Sequence, residues 1–177
     1  MCYRIILEVV TAFGTVGAVI VAMIAINNAN KNSKQQIIVG KLEELFETIQ
    51  TLTRYYGKFM ELSSHAFAFK EQIKVTKLLN TYSDYYSYRD KLISEDERNQ
   101  IIVYLSRIEV LTRCYTKGKL KEQALKYEDL MFSFAEFVFD GGSIHQELKY
   151  KEGFPSYEEF YALVETIKAE IISQIEI

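Results

Sequence analysis

The chain has 177 residues, of which 49% are hydrophobic and 25% charged, with one proline and no tryptophan. This composition excludes an intrinsically disordered chain, a collagen-like repeat and a Gly/Ser linker. A net charge of −3 argues against a globally basic nucleic-acid binder, and two cysteines, Cys2 and Cys114, are too few for a disulfide framework or a Cys-type zinc site.

With one proline and eight glycines to punctuate the chain, long helices are expected throughout. The first is residues 5–26, an apolar run broken only by Glu8. At 1.5 Å per residue it reaches roughly 33 Å, enough for a hydrocarbon core of about 30 Å, so the sequence predicts an N-terminal transmembrane helix. A cleaved signal peptide fits less well, because Ala22-Met23-Ile24-Ala25 lacks the usual cleavage spacing. Only Arg4 precedes the run, whereas Lys31, Lys34 and Lys41 follow it. The positive-inside rule then predicts a single-pass protein of the bacterial inner membrane, N-terminus outside and C-terminal domain cytoplasmic.

Gly14, Ala18 and Ala22 recur every four residues, with Thr11, Thr15 and Ala25 near the same side. Small residues so spaced let helices approach closely, which predicts a homo-oligomer interface or pore lining on that face. Glu8 reads either as an interfacial carboxylate or as one member of a charged ring at a pore mouth.

Residues 27–36 form a polar membrane-exit segment, either a hinge or a continuation of the helix. Residues 37–177 then read as one all-α domain, a helical bundle in the cytoplasm. Ile38, Leu42, Leu45, Ile49, Leu52, Tyr56 and Phe59 repeat in steps of four and three. That heptad period marks either a cytoplasmic oligomer seam or a helix packed inside its own bundle. A further helix is expected near 70–92. Ser94 with Glu97 is a capping-box signature for the next, which Gly118 is suited to close. Leu120 to Val138 mark another helix, ended by the turn at 140–143, and Ser156 with Glu159 opens the last.

The chemistry-bearing inventory is thin. His65 and His145 sit in no metal-ligand spacing, and no phosphate-binding loop or nucleophile elbow occurs, so neither a metal, a cofactor nor a catalytic residue is expected. Asp140 and His145 flank a glycine-rich turn, an acid–base pair or simply turn residues. Thirteen tyrosines read as core packing with hydroxyls at a wet rim, or as base-stacking platforms. Arg107, Arg113, Lys117, Lys119 and Lys121 form a basic stretch that suits phosphates of lipid headgroups or RNA, or a solvated helix end.

One N-terminal span joined to a tyrosine-rich helical domain resembles the small membrane accessory proteins of subtype VI-B CRISPR loci. The resemblance covers the layout from the apolar run to the last helix. It implies a homo-oligomeric, pore-forming membrane protein in antiviral defence that enhances an RNA-guided, RNA-cleaving effector, with the lipid bilayer, further copies of itself and that effector or its RNA as partners. The same group is linked to HEPN ribonucleases, whose motif is arginine, four to six residues, then histidine. Here Arg54 stands ten intervening residues before His65, and Asp140 occupies the arginine position before His145. No catalytic residue is carried over on that basis. Two further readings stand beside the pore: a membrane-tethered helical binding module for a protein or RNA partner, and a HEPN-like ribonuclease.

Overall fold

The computed structural model describes the backbone of residues 2–76, 81–140 and 153–175, and the side chains of 21–68, 84–140 and 153–175. Among the described residues there are six helices and no strand: α1 (Cys2–Thr53), α2 (Tyr56–Thr76), α3 (Thr81–Leu92), α4 (Glu95–Tyr115), α5 (Gly118–Phe139) and α6 (Tyr157–Ile175). They fall into two units, Met1–Gly40 and Lys41–Ile177.

Local chemistry places most helix boundaries of the second unit. Ser94 Oγ accepts from the Glu97 amide at 3.2 Å while the Glu97 carboxylate accepts from the Ser94 amide at 2.9 Å, so two otherwise orphaned donors at the start of α4 are satisfied. Ser156 and Glu159 repeat the arrangement at α6, with amide contacts of 3.3 and 2.8 Å. Between α4 and α5 the backbone is extended at Thr116 and Lys117, and Gly118 takes φ +56°, a left-handed conformation that disfavours any side chain. Gly118 therefore opens α5, and Thr116 closes α4. The helix expected near 70–92 is two, because α2 runs to Thr76 and α3 begins at Thr81.

The heptad run is divided by a turn at Arg54 and Tyr55, where the Tyr55 amide donates to the Leu52 carbonyl at 3.0 Å. Its apolar side chains keep their inward direction across that turn. Leu42, Leu45, Ile49 and Leu52 on α1 and Tyr56 and Phe59 on α2 are all fully buried. Within this unit α5 is the central post, packed against α2, α4 and α6. It buries nine residues from Leu120 to Val138, an arc wider than a helix with one covered face needs. Tyr127 crosses from α5 to α1, its hydroxyl 3.1 Å from the Ile49 carbonyl and 3.0 Å from Thr53 Oγ1. Burial pushes that phenol's pKa well above its ordinary value, so the hydroxyl is a permanent donor.

The expected single-pass inner-membrane topology is corrected here. Among the described residues no helix is long and apolar enough to cross a membrane. In the described part of α1 the apolar residues 21–26 are followed at once by the polar residues 27–36, which are helical and exposed rather than a hinge. The transmembrane helix, the assignment of sides and the pore built on it are therefore withdrawn. Glu8, Thr11, Gly14, Thr15 and Ala18 lie outside the described side chains; Ala22 and Ala25 are described and exposed.

One buried polar atom in α4 lacks a partner. Thr112 is fully buried, and its Oγ1 makes no hydrogen bond among the described residues, although its carbonyl accepts from Thr116 Oγ1 at 2.6 Å. Burying a hydroxyl without compensation costs about 1–3 kcal/mol. Replacing Thr112 by valine is expected to stabilise the protein by about 1 kcal/mol, read as a higher urea midpoint with an unchanged m-value. A lower midpoint would show that the hydroxyl is satisfied after all.

Candidate functional site

The first unit offers an unpartnered surface on α1. Every described side chain from 21 to 38 is exposed, including Val21, Met23, Ile24, Ile26, Ile37 and Ile38. Residues 21–26 are apolar on every side of the helix, an arrangement that in water belongs in an interior. Ala22, Ala25 and Ala29, spaced by three and four, form one small-residue face along it.

The candidate seam has a different fate. Six of its seven residues, Leu42 through Phe59, are enclosed by the helices of their own unit, and only Ile38 remains substantially exposed. Their apolar surface is spent inside the chain, which leaves nothing of the six for a second copy to cover.

The basic stretch is likewise dispersed by pairing. Arg107 holds the Glu44 carboxylate through Nε at 2.6 Å and through a second guanidinium nitrogen. Arg113 pairs with Glu109 at 2.8 Å and Lys119 with Glu170 at 2.6 Å. Lys121 approaches the Arg113 carbonyl at 3.5 Å, and Lys117 is exposed. Three of the five cations thus have carboxylate partners, drawn from α1, α4 and α6. The sequence reading missed Glu44 and Glu170 because both lie more than fifty positions from the cations they meet.

A cleft of about 400 Å³ lies between α5 and the segment that enters α6. Leu130, Phe154, Pro155, Phe160 and Leu163 make it apolar, and Lys126 and Glu159 supply its charges. Phe154 is fixed by stacking on Phe134, with ring centroids 3.6 Å apart. The Glu159 carboxylate is held below the ordinary carboxylate range by the Ser156 amide and hydroxyl it caps, so it does not titrate near neutrality. Among the described residues the lining contains no histidine, thiol or activated hydroxyl, and what these residues offer is contact surface.

His65 is exposed beside the Tyr88 ring, centroids 4.3 Å apart, and His145 lies outside the described residues. Among the described residues no group of three or more His, Cys, Asp or Glu side chains could hold a metal ion. Cys114 is free and exposed. The buried tyrosines act as donors: Tyr56 to the Pro155 carbonyl at 2.5 Å and Tyr85 to that of Val138 at 2.6 Å.

No protein-family model, curated protein or solved structure matches the chain. The layout-based link to antiviral defence and CRISPR effectors thus has no relative in support of it, and its membrane-spanning part is corrected, since no helix among the described residues is long and apolar enough to cross a membrane.

The second unit's ion pairs make its stability acid-sensitive. Lys58 and the Ser94 amide hold the Glu97 carboxyl below its ordinary pKa, and Lys41 and Arg107 do the same for Glu44. Burial pushes Asp90 upward, yet Arg89 and Arg98 together outweigh it and leave that carboxyl lowered. A carboxyl lowered on folding contributes stability that is complete above its unfolded value, about 4, and is lost as pH falls through the folded value. Urea midpoints are therefore expected to hold steady from neutrality to about pH 5 and to decline below about pH 4. The decline should be shallower in 1 M salt, because these pairs are partly exposed and open to screening. A midpoint that rises on acidification would contradict these assignments.

Proposed function

We propose that the chain is a self-associating helical module, in which a folded all-α unit carries a helix that becomes covered by other copies of the same chain. The observation that carries this reading is the exposure of every described side chain from 21 to 38 of α1, apolar residues included. Propensity alone stabilises a helix in water only marginally, and most helical stability comes from burying a face. Full burial of one valine or isoleucine side chain is worth about 1.5–3 kcal/mol. Covering even half of the six large apolar residues therefore offers several kcal/mol toward the cost of association.

Two considerations favour further copies of this chain over an unrelated partner. Residues 21–26 are apolar all round, so cover is needed on more than one side, which an assembly of several identical helices supplies symmetrically. Ala22, Ala25 and Ala29 also let neighbouring helices approach without side-chain obstruction.

Sedimentation of the full chain is expected to give a mass above that of a dimer at tens of micromolar. Val21→Ser, Ile24→Ser and Ile26→Ser combined should lower that mass to a dimer or single chain while the near-ultraviolet signal of the tyrosine-rich second unit stays intact. A wild-type chain of single mass, or an assembly indifferent to the three substitutions, would refute the proposal.

A further inference from the structure

The outward face of α4 is a second apolar surface, in the other unit. Ile102, Val103 and Val110 are 53%, 63% and 51% exposed, although Ile101, Leu105, Ile108 and Leu111 on the opposite side are buried. Exposed Glu95, Asn99, Ser106 and Arg113 share the outward stripe, because steps of three and four return to one side of a helix. The stripe ends in opposite charges. Glu95, at the helix start, has no ion pair among the described residues, and Arg113, at the other end, holds only the exposed Glu109 of its own helix. About five turns, or roughly 27 Å, separate the two, so they cannot meet within one chain.

We infer that this stripe is a two-fold interface with a second copy of the chain, α4 lying antiparallel on α4. Its charge pattern is self-complementary. When Glu95 of one copy meets Arg113 of the other, symmetry forms the reciprocal pair at the far end from the same register. Parallel packing would instead set Glu95 against Glu95 and Arg113 against Arg113, and the like charges reject it. In the antiparallel register the two-fold axis passes level with Tyr104. Ile102 of each copy then lies across from Ser106 of the other, a small residue that leaves room for it. Between the charged ends, Val103 and Val110 provide the apolar surface to be covered. This interface rests on observations independent of α1 and on none of the reasoning above about it.

The test is charge reversal in the full chain, followed by sedimentation equilibrium at low salt, in both the wild-type background and the Val21→Ser, Ile24→Ser, Ile26→Ser background. In the latter background a monomer–dimer equilibrium is expected. Glu95→Arg or Arg113→Glu alone should weaken it by roughly tenfold, since each replaces two attractive pairs with two repulsive ones. The double variant Glu95→Arg, Arg113→Glu should recover dimerisation to near its starting strength, and Val103→Asp should abolish it. All three positions, Glu95, Val103 and Arg113, are exposed, so the thermal transition serves to verify that the unit remains folded. A monomer at several hundred micromolar, or a double variant as weak as the single ones, overturns the α4 interface and leaves the α1 reading untouched. Loss of large assemblies in the α1 background with charge rescue retained supports both. Rescue with no assembly beyond a dimer in the wild-type background supports α4 and sinks α1.

Discussion

The ring of Tyr56 lies flat on that of Phe160, centroids 3.6 Å apart and planes 3° from parallel, while its hydroxyl reaches the Pro155 carbonyl. That contact joins positions 99 residues apart. It fixes the start of α2 against the entry to α6, and the edge of Phe134 on α5 seals it from the side at 5.4 Å. The direction of α6 and the placement of Phe154 in its cleft follow from this joint, because Phe154 stacks on the same Phe134. So does the close approach at Gly57, where a side-chain carbon would come within 2.8 Å of the Tyr157 hydroxyl. Closing so long a loop costs only slightly more entropy than closing one half its length. One well-packed aromatic joint with a satisfied hydroxyl is therefore an effective place to meet that cost.

The same economy explains the abundance of tyrosine. A buried tyrosine contributes the area of a phenylalanine and one donor that can satisfy a carbonyl left over by helix geometry. Tyr127 serves a carbonyl in the last turn of α1, Tyr56 one in the segment before α6, and Tyr85 one near the end of α5. Each lies at a crossing of elements, where backbone groups are hardest to satisfy by regular structure. The single buried side-chain oxygen without a partner among the described residues belongs not to a tyrosine but to Thr112.

Features governed by neighbouring residues were legible in the sequence. Both capping boxes stand where Ser94 and Ser156 predicted them, and the helix expected from Leu120 to Val138 is α5. The heptad was legible as a pattern but ambiguous as to partner. Period alone says that Leu42 to Phe59 face something apolar, and only the fold shows that their own unit supplies it. Pair interactions across long separations were not legible at all: Glu44 gives no local sign that it will bind Arg107. Hydropathy misled in a different way. It counts apolar residues without regard to what surrounds the helix, so residues 5–26 invited a bilayer, whereas the described residues contain no helix fit to cross one. The outer stripe of α4 is hard to read from the sequence because its residues interleave with those of the buried face. Ile101 and Ile102 are adjacent in sequence, about 100° apart around the helix, and one is buried while the other is exposed.

The polar clasp between α3 and the end of α5 has a bearing on how the fold comes apart. Tyr85 donates to the Val138 carbonyl and Arg89 to that of Phe139, so α3 satisfies carbonyls that the last turn of α5 cannot satisfy itself. Of the described residues in α3, Tyr85 alone is buried. Tyr86, Tyr88 and Leu92 add only partly buried apolar cover, so directed bonds, which exchange readily with water, are a substantial part of this helix's attachment. When α3 lifts away, the carbonyls at the end of α5 lose their donors and that end frays, while the aromatic joint at Tyr56 is untouched. The unit is built with a graded grip, loosest where hydrogen bonds hold it and tightest where rings do, and opening should spread inward from the α3 side.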